Sequence, residues 1–550
     1  MLRNLPESWL DSASERTYQP VFCQMLSAQG HTILHSTRHS PLEFGKDVLT
    51  IDPNGRPCAY QLKGNPGSRL TLEQFRNIQT QLVQLVTQPI IFPGLKIQTH
   101  KTYLVTNGIV EEEVQRAIDD LNRGFCEAKT IGGPIELISR GQLLKWAINL
   151  GVDLWPAELL DVNRLLQLLV AQGDEILPDH LLHDLLISLL CLDENIKTTP
   201  SASELKRRIT SAALLTAVSL QKFYIKKNHW AIICGWVIFS SYTIGACERH
   251  NKSYKKNGKH SIDIALYSIF LSLSNLCSEL QTRNHYIEGN ALVDSFIYKG
   301  RYTLLVALMV TYWFWGMEEG WMDENHQSFL DEFIPKNPKG LYLWGEGAIP
   351  QLLIHLWYLR HTDPTLKPDF FLASLLQQII KICIDDKLNG LPSPYYSFES
   401  ITRHIFRNLL SLKEDPLGGD SFRYNSFFAL PLMHLLVRAN MKQTCKSIWP
   451  DFSKLSFKYF DPLKPWMYCL KEVPHGDNIT IQPKLTKEWD ELKVEARENL
   501  CVGVPISLKI NKYLFILFII LFPYRATPSA IRYLATQFHD SWFIEAPIDN

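Results

Sequence analysis

The sequence predicts an α/β N-terminal domain, with a mixed sheet flanked by helices, followed by a large, mainly α-helical region. Three observations carry that prediction. Short β-rich stretches alternate with amphipathic helical stretches over the first 150 or so residues. A Pro-Asn-Gly turn sits between two apolar runs. The remainder is one helical stretch after another, separated by turn residues. At 550 residues the chain exceeds one cooperative core, so at least two domains are expected.

The elements follow in order. Ser14 is placed to cap a helix from Glu15 to about Gln29, which Gly30 ends. Strands are expected over His31–Ser36, Asp47–Ile51 and Pro57–Lys63, the last two joined by Asp52-Pro53-Asn54-Gly55-Arg56, a strong hairpin signal. A helix over Leu72–Val86 leads to a strand at Thr102–Thr106. A helix at Glu111–Arg123 leads to a strand at Ile135–Ile138, and Ser139 caps a last helix through Trp146. This order excludes a purely parallel, doubly wound sheet. Beyond a boundary near Leu150–Pro156, helices are expected at Glu158–Ala171, Asp179–Leu192, Ser203–Tyr224, Asp263–Leu280, Pro350–Leu359, Pro368–Asp385 and Ser397–Leu412, with no solenoid period. The loop Pro474–Asn478 offers a division of the helical region, so the domains read 1–150, 151–473 and a C-terminal helical segment 474–550, with 474–550 as part of the 151–473 domain as the alternative.

Lys+Arg and Asp+Glu both number 56, which argues against a uniformly basic nucleic-acid coat protein and against an acidic disordered chain. Met1–Glu7 lacks the apolar stretch of a secretory signal, and a cytoplasmic location is expected. Eleven cysteines with no CxxC pair read as reduced core residues. Trp230–Cys247 and Tyr302–Met317 are uncharged; they read as buried helices, with membrane spans as the disfavoured alternative.

The chemistry concentrates in Gly45-Lys46-Asp47 on one strand and Gln61-Leu62-Lys63 on the next. Gln61 and Lys63 are two apart and share a strand face, while Leu62 points into the core. With Asp47 opposite them, a carboxylate, an amide oxygen, the Leu62 backbone carbonyl and an ammonium converge. Such oxygen donors suit Mg²⁺, with Mn²⁺ as the alternative, and the chemistry that fits is phosphodiester hydrolysis. Lys63 would orient the attacking water or offset developing charge. Glu15, on the preceding helix, is a further metal or catalytic candidate, and it reads equally as an acid favoured at a helix start.

Glu15, Gly45-Lys46-Asp47 and Gln61-Leu62-Lys63 together resemble the Mrr-type branch of the restriction-endonuclease-like nucleases, the PD-(D/E)xK superfamily, over about Glu15 to Trp146. The resemblance implies Mg²⁺-dependent DNA cleavage, with Asp47 and Gln61 as metal ligands, Lys63 as the catalytic lysine and Glu15 as the helix acid. Two positions depart from the superfamily name. Lys46 stands where it has Pro, and Gln61 where it has an acid, a replacement the Mrr-type branch shares.

Other residues rank lower. Gln74 and Gln79 are candidate DNA-backbone contacts against a solvated helix face. His31, His35 and His39 fall on a strand and loop, so a helical metal motif fails there. His180, His183 and Asp184 share a helix face without a further ligand nearby and read as helix surface, and Glu318, Glu319, Asp323 and Glu324 as a solvated helix end. No Walker-type loop is present, so any NTPase or trigger-sensing partner would be a separate chain.

Between Ser201 and His260, eleven Lys and Arg face two Glu, a local charge of +9. Its densest part, Arg249–His260, is expected to be an exposed loop whose Lys252, Lys255, Lys256 and Lys259 grip phosphates. Two functions are carried forward. One is a DNA endonuclease of restriction or anti-phage defence, whose helical region senses a trigger or binds DNA, with a homodimer expected if both strands are cut. The other is an inactive nuclease-fold scaffold or interaction protein, with membrane association as its variant.

Overall fold

The Asp52–Arg56 turn closes as its residue types dictate. Asp52 Oδ1 accepts from the N–H groups of Asn54 and Arg56, both at 2.9 Å, and Gly55 takes φ +79°. In the computed structural model this turn joins two strands of a five-stranded sheet. Residues 7, 9–11, 13–36, 46–92, 97–152, 159–193, 199–282, 296–336, 341–385, 390–398, 400–402, 422–471, 477–497 and 504–538 are described.

The chain packs as two compact units, residues 1–272 and 273–550. In unit 1, α1 (Glu15–Ala28) precedes β1 (Thr32–Ser36), β2 (Val48–Ile51), β3 (Pro57–Lys63) and the short β4 (Arg69–Leu70). Then come α2 (Leu72–Thr87), β5 (His100–Thr106), β6 (Ile109–Val110), α3 (Glu112–Ala128), β7 (Gly132–Ile138) and α4 (Arg140–Val152). The main sheet runs β1-β2-β3-β5-β7: β1, β2 and β3 pair antiparallel, and β5 and β7 add parallel to β3. It is the expected mixed sheet. β4 and β6 form a separate parallel pair that residue patterning did not reveal.

Two cores flank the sheet. On one face, Leu49, Ala59 and Leu104 meet Phe75, Ile78 and Leu82 of α2 and Val114 and Ile118 of α3. On the other, Phe22 of α1 sets its ring edge-on to Tyr60, with centroids 5.4 Å apart, and stacks on Trp146 of α4. Burying each such side chain contributes about 1.5–3 kcal/mol.

Unit 1 continues through α5 (Leu159–Val170), α6 (Asp179–Leu189), α7 (Ala202–Ser219), α8 (Gln221–Ile225), α9 (His229–Arg249), α10 (Tyr254–Asn257) and part of α11 (Lys259–Thr282). α1 packs against α7, and Gln24 of α1 exchanges hydrogen bonds with Ser261 of α11: Nε2 to the backbone oxygen at 3.1 Å, and hydroxyl to Oε1 at 2.7 Å. The expected boundary near residue 150 therefore falls inside one compact unit. The expected loop at Arg249–His260 is instead a short helix anchored by buried Tyr254.

Unit 2 holds α12 (Phe296–Glu318), α13 (Glu324–Lys336), α14 (Ile349–Thr362), α15 (Asp369–Ile384), α16 (Ala429–Arg438), α17 (Lys442–Phe452), α18 (Trp489–Arg497), α19 (Ile506–Lys509), α20 (Lys512–Leu521) and α21 (Pro528–Gln537). It also holds a sheet of β8 (Asn425–Ser426), β9 (Ser456–Asp461) and β10 (Asp477–Ile481). β10 pairs with β9 from Asp477 to Ile481, which ties the segment after 474 to the one before it, the alternative of the two expected arrangements. Of the expected helix Ser397–Leu412, residues 399 and 403–412 lie outside the described residues.

Among the described residues, α9 and α11 are long and apolar enough to cross a membrane. The apolar stretch of α9 is 94% buried within the protein and that of α11 61%. The Tyr302–Met317 run lies in α12, where Tyr302, Val306, Tyr312 and Trp315 are buried.

Glu346 is buried in unit 2, where its carboxylate accepts from the N–H groups of Phe427 at 3.0 Å and Phe428 at 3.3 Å and from the Ser426 hydroxyl. Burial outweighs these bonds and pushes its carboxyl up to about 7. An acid that holds its proton more tightly when folded stabilises the fold at low pH, and that contribution is lost as pH rises from the ordinary 4.5 through about 7. Unit 2 is therefore expected to lose stability over this window, and Glu346→Gln to flatten the loss. Urea unfolding at several pH values reads the slope; an unchanged slope in the variant refutes the assignment.

Candidate active site

β3 reads Pro-Cys-Ala-Tyr-Gln-Leu-Lys, a central strand buried until Lys63, which is half-buried. The β2–β3 pairing ends at Val48 opposite Tyr60. One residue earlier, Asp47 N–H still donates to the Tyr60 carbonyl at 2.8 Å, and beyond that point the Asp47 side chain replaces strand backbone. Its Oδ2 accepts from the Leu62 N–H at 2.6 Å and from Gln61 Nε2 at 2.6 Å. Gln61 Nε2 also donates to the Leu62 carbonyl at 3.3 Å. The amide nitrogen thus bridges a carboxylate and a carbonyl, while Gln61 Oε1 is buried with no hydrogen-bond partner. A buried amide oxygen in that position costs about 1–3 kcal/mol.

α1 fixes this strand end from its first two turns. Glu15 Oε2 accepts the Gly64 N–H at 3.0 Å. Gly64 permits the approach: a Cβ there would lie 2.7 Å from the Glu15 nitrogen. Tyr18 Oη accepts the Lys63 N–H at 3.2 Å and lies 3.3 Å from the carbonyls of Lys63 and Val105. Burial, then the negative charges of Glu15 and Asp47, push the Tyr18 phenol well above its ordinary value, so it stays protonated and can donate. Gln19 Nε2 donates to the Asp47 carbonyl at 3.4 Å.

A second network holds the turn after β3. Asn107 Oδ1 accepts the Asn65 N–H at 2.8 Å, while its Nδ2 donates to the carbonyls of Leu10 at 2.8 Å and Ala13 at 2.7 Å. Thr106 Oγ1 donates to Asn65 Oδ1 at 3.2 Å. One asparagine at the end of β5 therefore fixes both the segment entering Glu15 and the turn leaving Lys63.

Asp47, Gln61, the Leu62 carbonyl and, through Gly64, Glu15 meet at this strand end, and the Lys63 ammonium has no hydrogen-bond or ion-pair partner among the described residues. Gln74 does not join them as a substrate contact. Its Oε1 accepts from the Thr71 N–H at 3.2 Å and from Asn65 Nδ2 at 2.7 Å, so it closes the capping box of α2 and braces the turn. Gln79 is exposed on α2. Lys252 is half-exposed and Lys255 and Lys256 exposed, all three without ion pairs among the described residues, whereas Lys259 pairs with Asp263 at 2.7 Å. The expected four-lysine grip therefore has three free cations.

Sequence reasoning missed Tyr18, Gln19, Asn65 and Asn107. A tyrosine and a glutamine one turn beyond the helix acid, and an Asn-Gly pair closing a strand, were the available signals. Lys46, which stands where the superfamily name has Pro, is buried beside the site, and burial pushes its ammonium down to about 8.

The other candidates separate from the site. His31 Nδ1 lies 3.1 Å from Thr50 Oγ1, within the sheet. The side chain of His35, and His39 with Glu43, Phe44 and Gly45, lie outside the described residues. His183, read as helix surface, is buried against the Tyr242 hydroxyl, and Asp184 pairs with Arg164 at 3.0 Å. Glu318, Glu319, Asp323 and Glu324 are exposed, as a solvated helix end should be, and Glu318 also pairs with Lys512 at 2.8 Å. Among the described residues no group of three or more His, Cys, Asp or Glu could hold a metal.

The candidate donors are instead one carboxylate, one amide oxygen and one backbone carbonyl, a hard all-oxygen set that fits Mg²⁺ or Mn²⁺ and not zinc. No family model, no curated protein and no solved structure matches this chain. The site therefore rests on its own chemistry.

Replacing Asn107 with Ala removes three buried hydrogen bonds and is expected to destabilise unit 1 by about 2–4 kcal/mol. Denaturant unfolding of the full chain measures this, and a loss within about 0.5 kcal/mol, the range of ordinary surface changes, contradicts the bracing role.

Proposed function

We propose that unit 1 is a Mg²⁺-dependent DNA endonuclease. The carrying observation is the meeting of Asp47, the Gln61 amide and the Leu62 carbonyl beside an unpaired Lys63, with Gln61 Oε1 buried and unpartnered. Turning the Gln61 amide about its last side-chain bond exchanges Nε2 for Oε1 and directs three oxygens to one point. Mg²⁺ held there would polarise a phosphoryl oxygen and lower the pKa of a bound water.

The protein supplies the rest. Asp47 and Gln61 fix the position of the scissile phosphate through their place on the sheet. Lys63 brings a positive charge to the developing charge of the transition state, or orients the attacking water. Glu15 is held at the same strand end through the Gly64 N–H. The α-β-β-β-α-β order, with the acid beside β2 and Gln-Leu-Lys on β3, supports the resemblance to restriction-endonuclease-like nucleases. DNA is the substrate this resemblance favours.

The basic helix-turn segment supports a phosphate grip on the same compact unit. Ser261, two residues after Lys259, bonds Gln24 of α1, nine residues and roughly 14 Å of helix rise beyond Glu15. Substrate backbone crossing unit 1 could thus meet Lys252, Lys255 and Lys256 without entering the site.

Purified full-length protein is expected to nick or cut plasmid DNA with Mg²⁺ or Mn²⁺. Lys63→Ala and Asp47→Asn should each lower the rate about 10²-fold or more. Asp47→Asn is preferred to Ala because it keeps an acceptor for the Leu62 N–H. Wild-type protein that leaves DNA intact with either metal refutes the proposal. The triple change of Lys252, Lys255 and Lys256 to Glu should weaken DNA binding and reduce the slope of log affinity against log salt by about 2–3, near 0.9 for each lost phosphate contact. An unchanged slope removes those lysines from the interface.

A further inference from the structure

Unit 2 contains a cavity of about 170 Å³ between α16, α17, β9, the end of β10 and α18. One wall is aromatic. Trp449 and Phe452 lie with ring centroids 5.2 Å apart, and Phe452 and Phe457 4.6 Å apart. Trp449 Nε1 donates to the Leu485 carbonyl at 3.1 Å, which holds the indole in place.

The rest of the lining is polar in a specific way. His434 is 2% exposed, and its Nε2 is buried with no hydrogen-bond partner. Burial, then the cations Arg532, Lys487 and Arg438, push the imidazole down to about 3, so the ring is neutral. A neutral imidazole offers one ring N–H and one ring acceptor according to tautomer. Glu495 adds a carboxylate to the wall, paired with Lys487 and little exposed. Lys484, mostly exposed, stands at the lining with its ammonium 3.4 Å from Glu491.

These features select a ligand. A purely apolar molecule would leave His434 Nε2 without a partner, at a cost of about 1–3 kcal/mol. An aliphatic amino acid has no flat face to lie against the aromatic wall. A planar nitrogen heterocycle with a hydrogen-bonding edge satisfies both, and an anionic substituent on it would meet Lys484. We propose that this cavity binds a purine nucleotide, its base against Trp449, Phe452 and Phe457 and hydrogen-bonded to His434, its phosphate outward at Lys484. The same unit of chemistry is offered by a free mononucleotide and by an unstacked base in a single strand. The proposal does not depend on the nuclease assignment.

The test is calorimetric titration of the full-length protein with AMP, GMP, the two nucleosides and a short single-stranded oligopurine. Binding of AMP or GMP, or of the oligopurine, supports the proposal, and the tighter of the two identifies the source. Lys484→Glu, at an exposed position, should weaken the nucleotide about tenfold or more, as expected for losing one charge-assisted contact, and leave the nucleoside within about twofold. His434→Phe, which removes the ring nitrogen and keeps an aromatic ring, should weaken nucleotide and nucleoside alike by about tenfold. No binding of any of these ligands to wild type overturns the proposal, as does binding that neither variant alters.

Discussion

Asp47 accepts two hydrogen bonds at 2.6 Å where β2 has run out of backbone to offer β3. Leu62 N–H points to the β2 side of a central strand, and unpaired it would cost about 1–3 kcal/mol. Among the described residues, the side chain that satisfies it is also the carboxylate that holds the Gln61 amide. Strand closure and the proposed chemistry therefore rest on the same group. This explains why the β2–β3 ladder can end there: past the Asp47 N–H, the carboxylate takes the place of a backbone acceptor for Leu62.

The second constraint is α1. Its first two turns bring Glu15, Tyr18 and Gln19 to the backbone of Asp47, Lys63 and Gly64, while Gln24, farther along, reaches Ser261. A helix held at both ends in this way is not a surface helix of a separable sheet domain. Helices through α11 consequently belong with the sheet, and the free lysines near α10 share a unit with the candidate site. Nothing in α1 itself announces this. Phe22 and Tyr18 read as the inward side of any amphipathic helix, and the outer cover is set by packing against α7 and α11.

Much of the sheet was legible because its signals are local. Strand alternation, the Asn-Gly turn and the order of elements each depend on neighbouring residues, and β3 begins and ends where its sequence says. The meeting of Asp47 and Gln61 was legible from the hairpin, which sets the two strands side by side. What escaped depends on distant partners. Gln74 looks like any exposed helix glutamine until Thr71 and Asn65 are found to share its Oε1. The strand Ser456–Asp461 was lost within a helical region because its pairing partner begins at Asp477, beyond an intervening turn of 3₁₀ helix. Arg249–His260 carries the composition of a loop, yet Tyr254 buries and pins four residues into a helix.

The glutamine at position 61 gives the candidate site a property that a second acid would not. Two carboxylates at 47 and 61 would repel unless a cation lay between them, or one would hold a proton. An amide has a donor and an acceptor on the same carbon. In the orientation present here the donor satisfies Asp47 and the Leu62 carbonyl, so the strands close without a metal, at the cost of one buried orphan oxygen. On the proposed reading, rotation of that amide converts a self-satisfied structural link into an oxygen cluster. Metal binding must then displace two existing hydrogen bonds and gains only one full negative charge from these ligands. On that reading, the residue that spares the strand end a second negative charge is also the one that lowers the affinity for the cation.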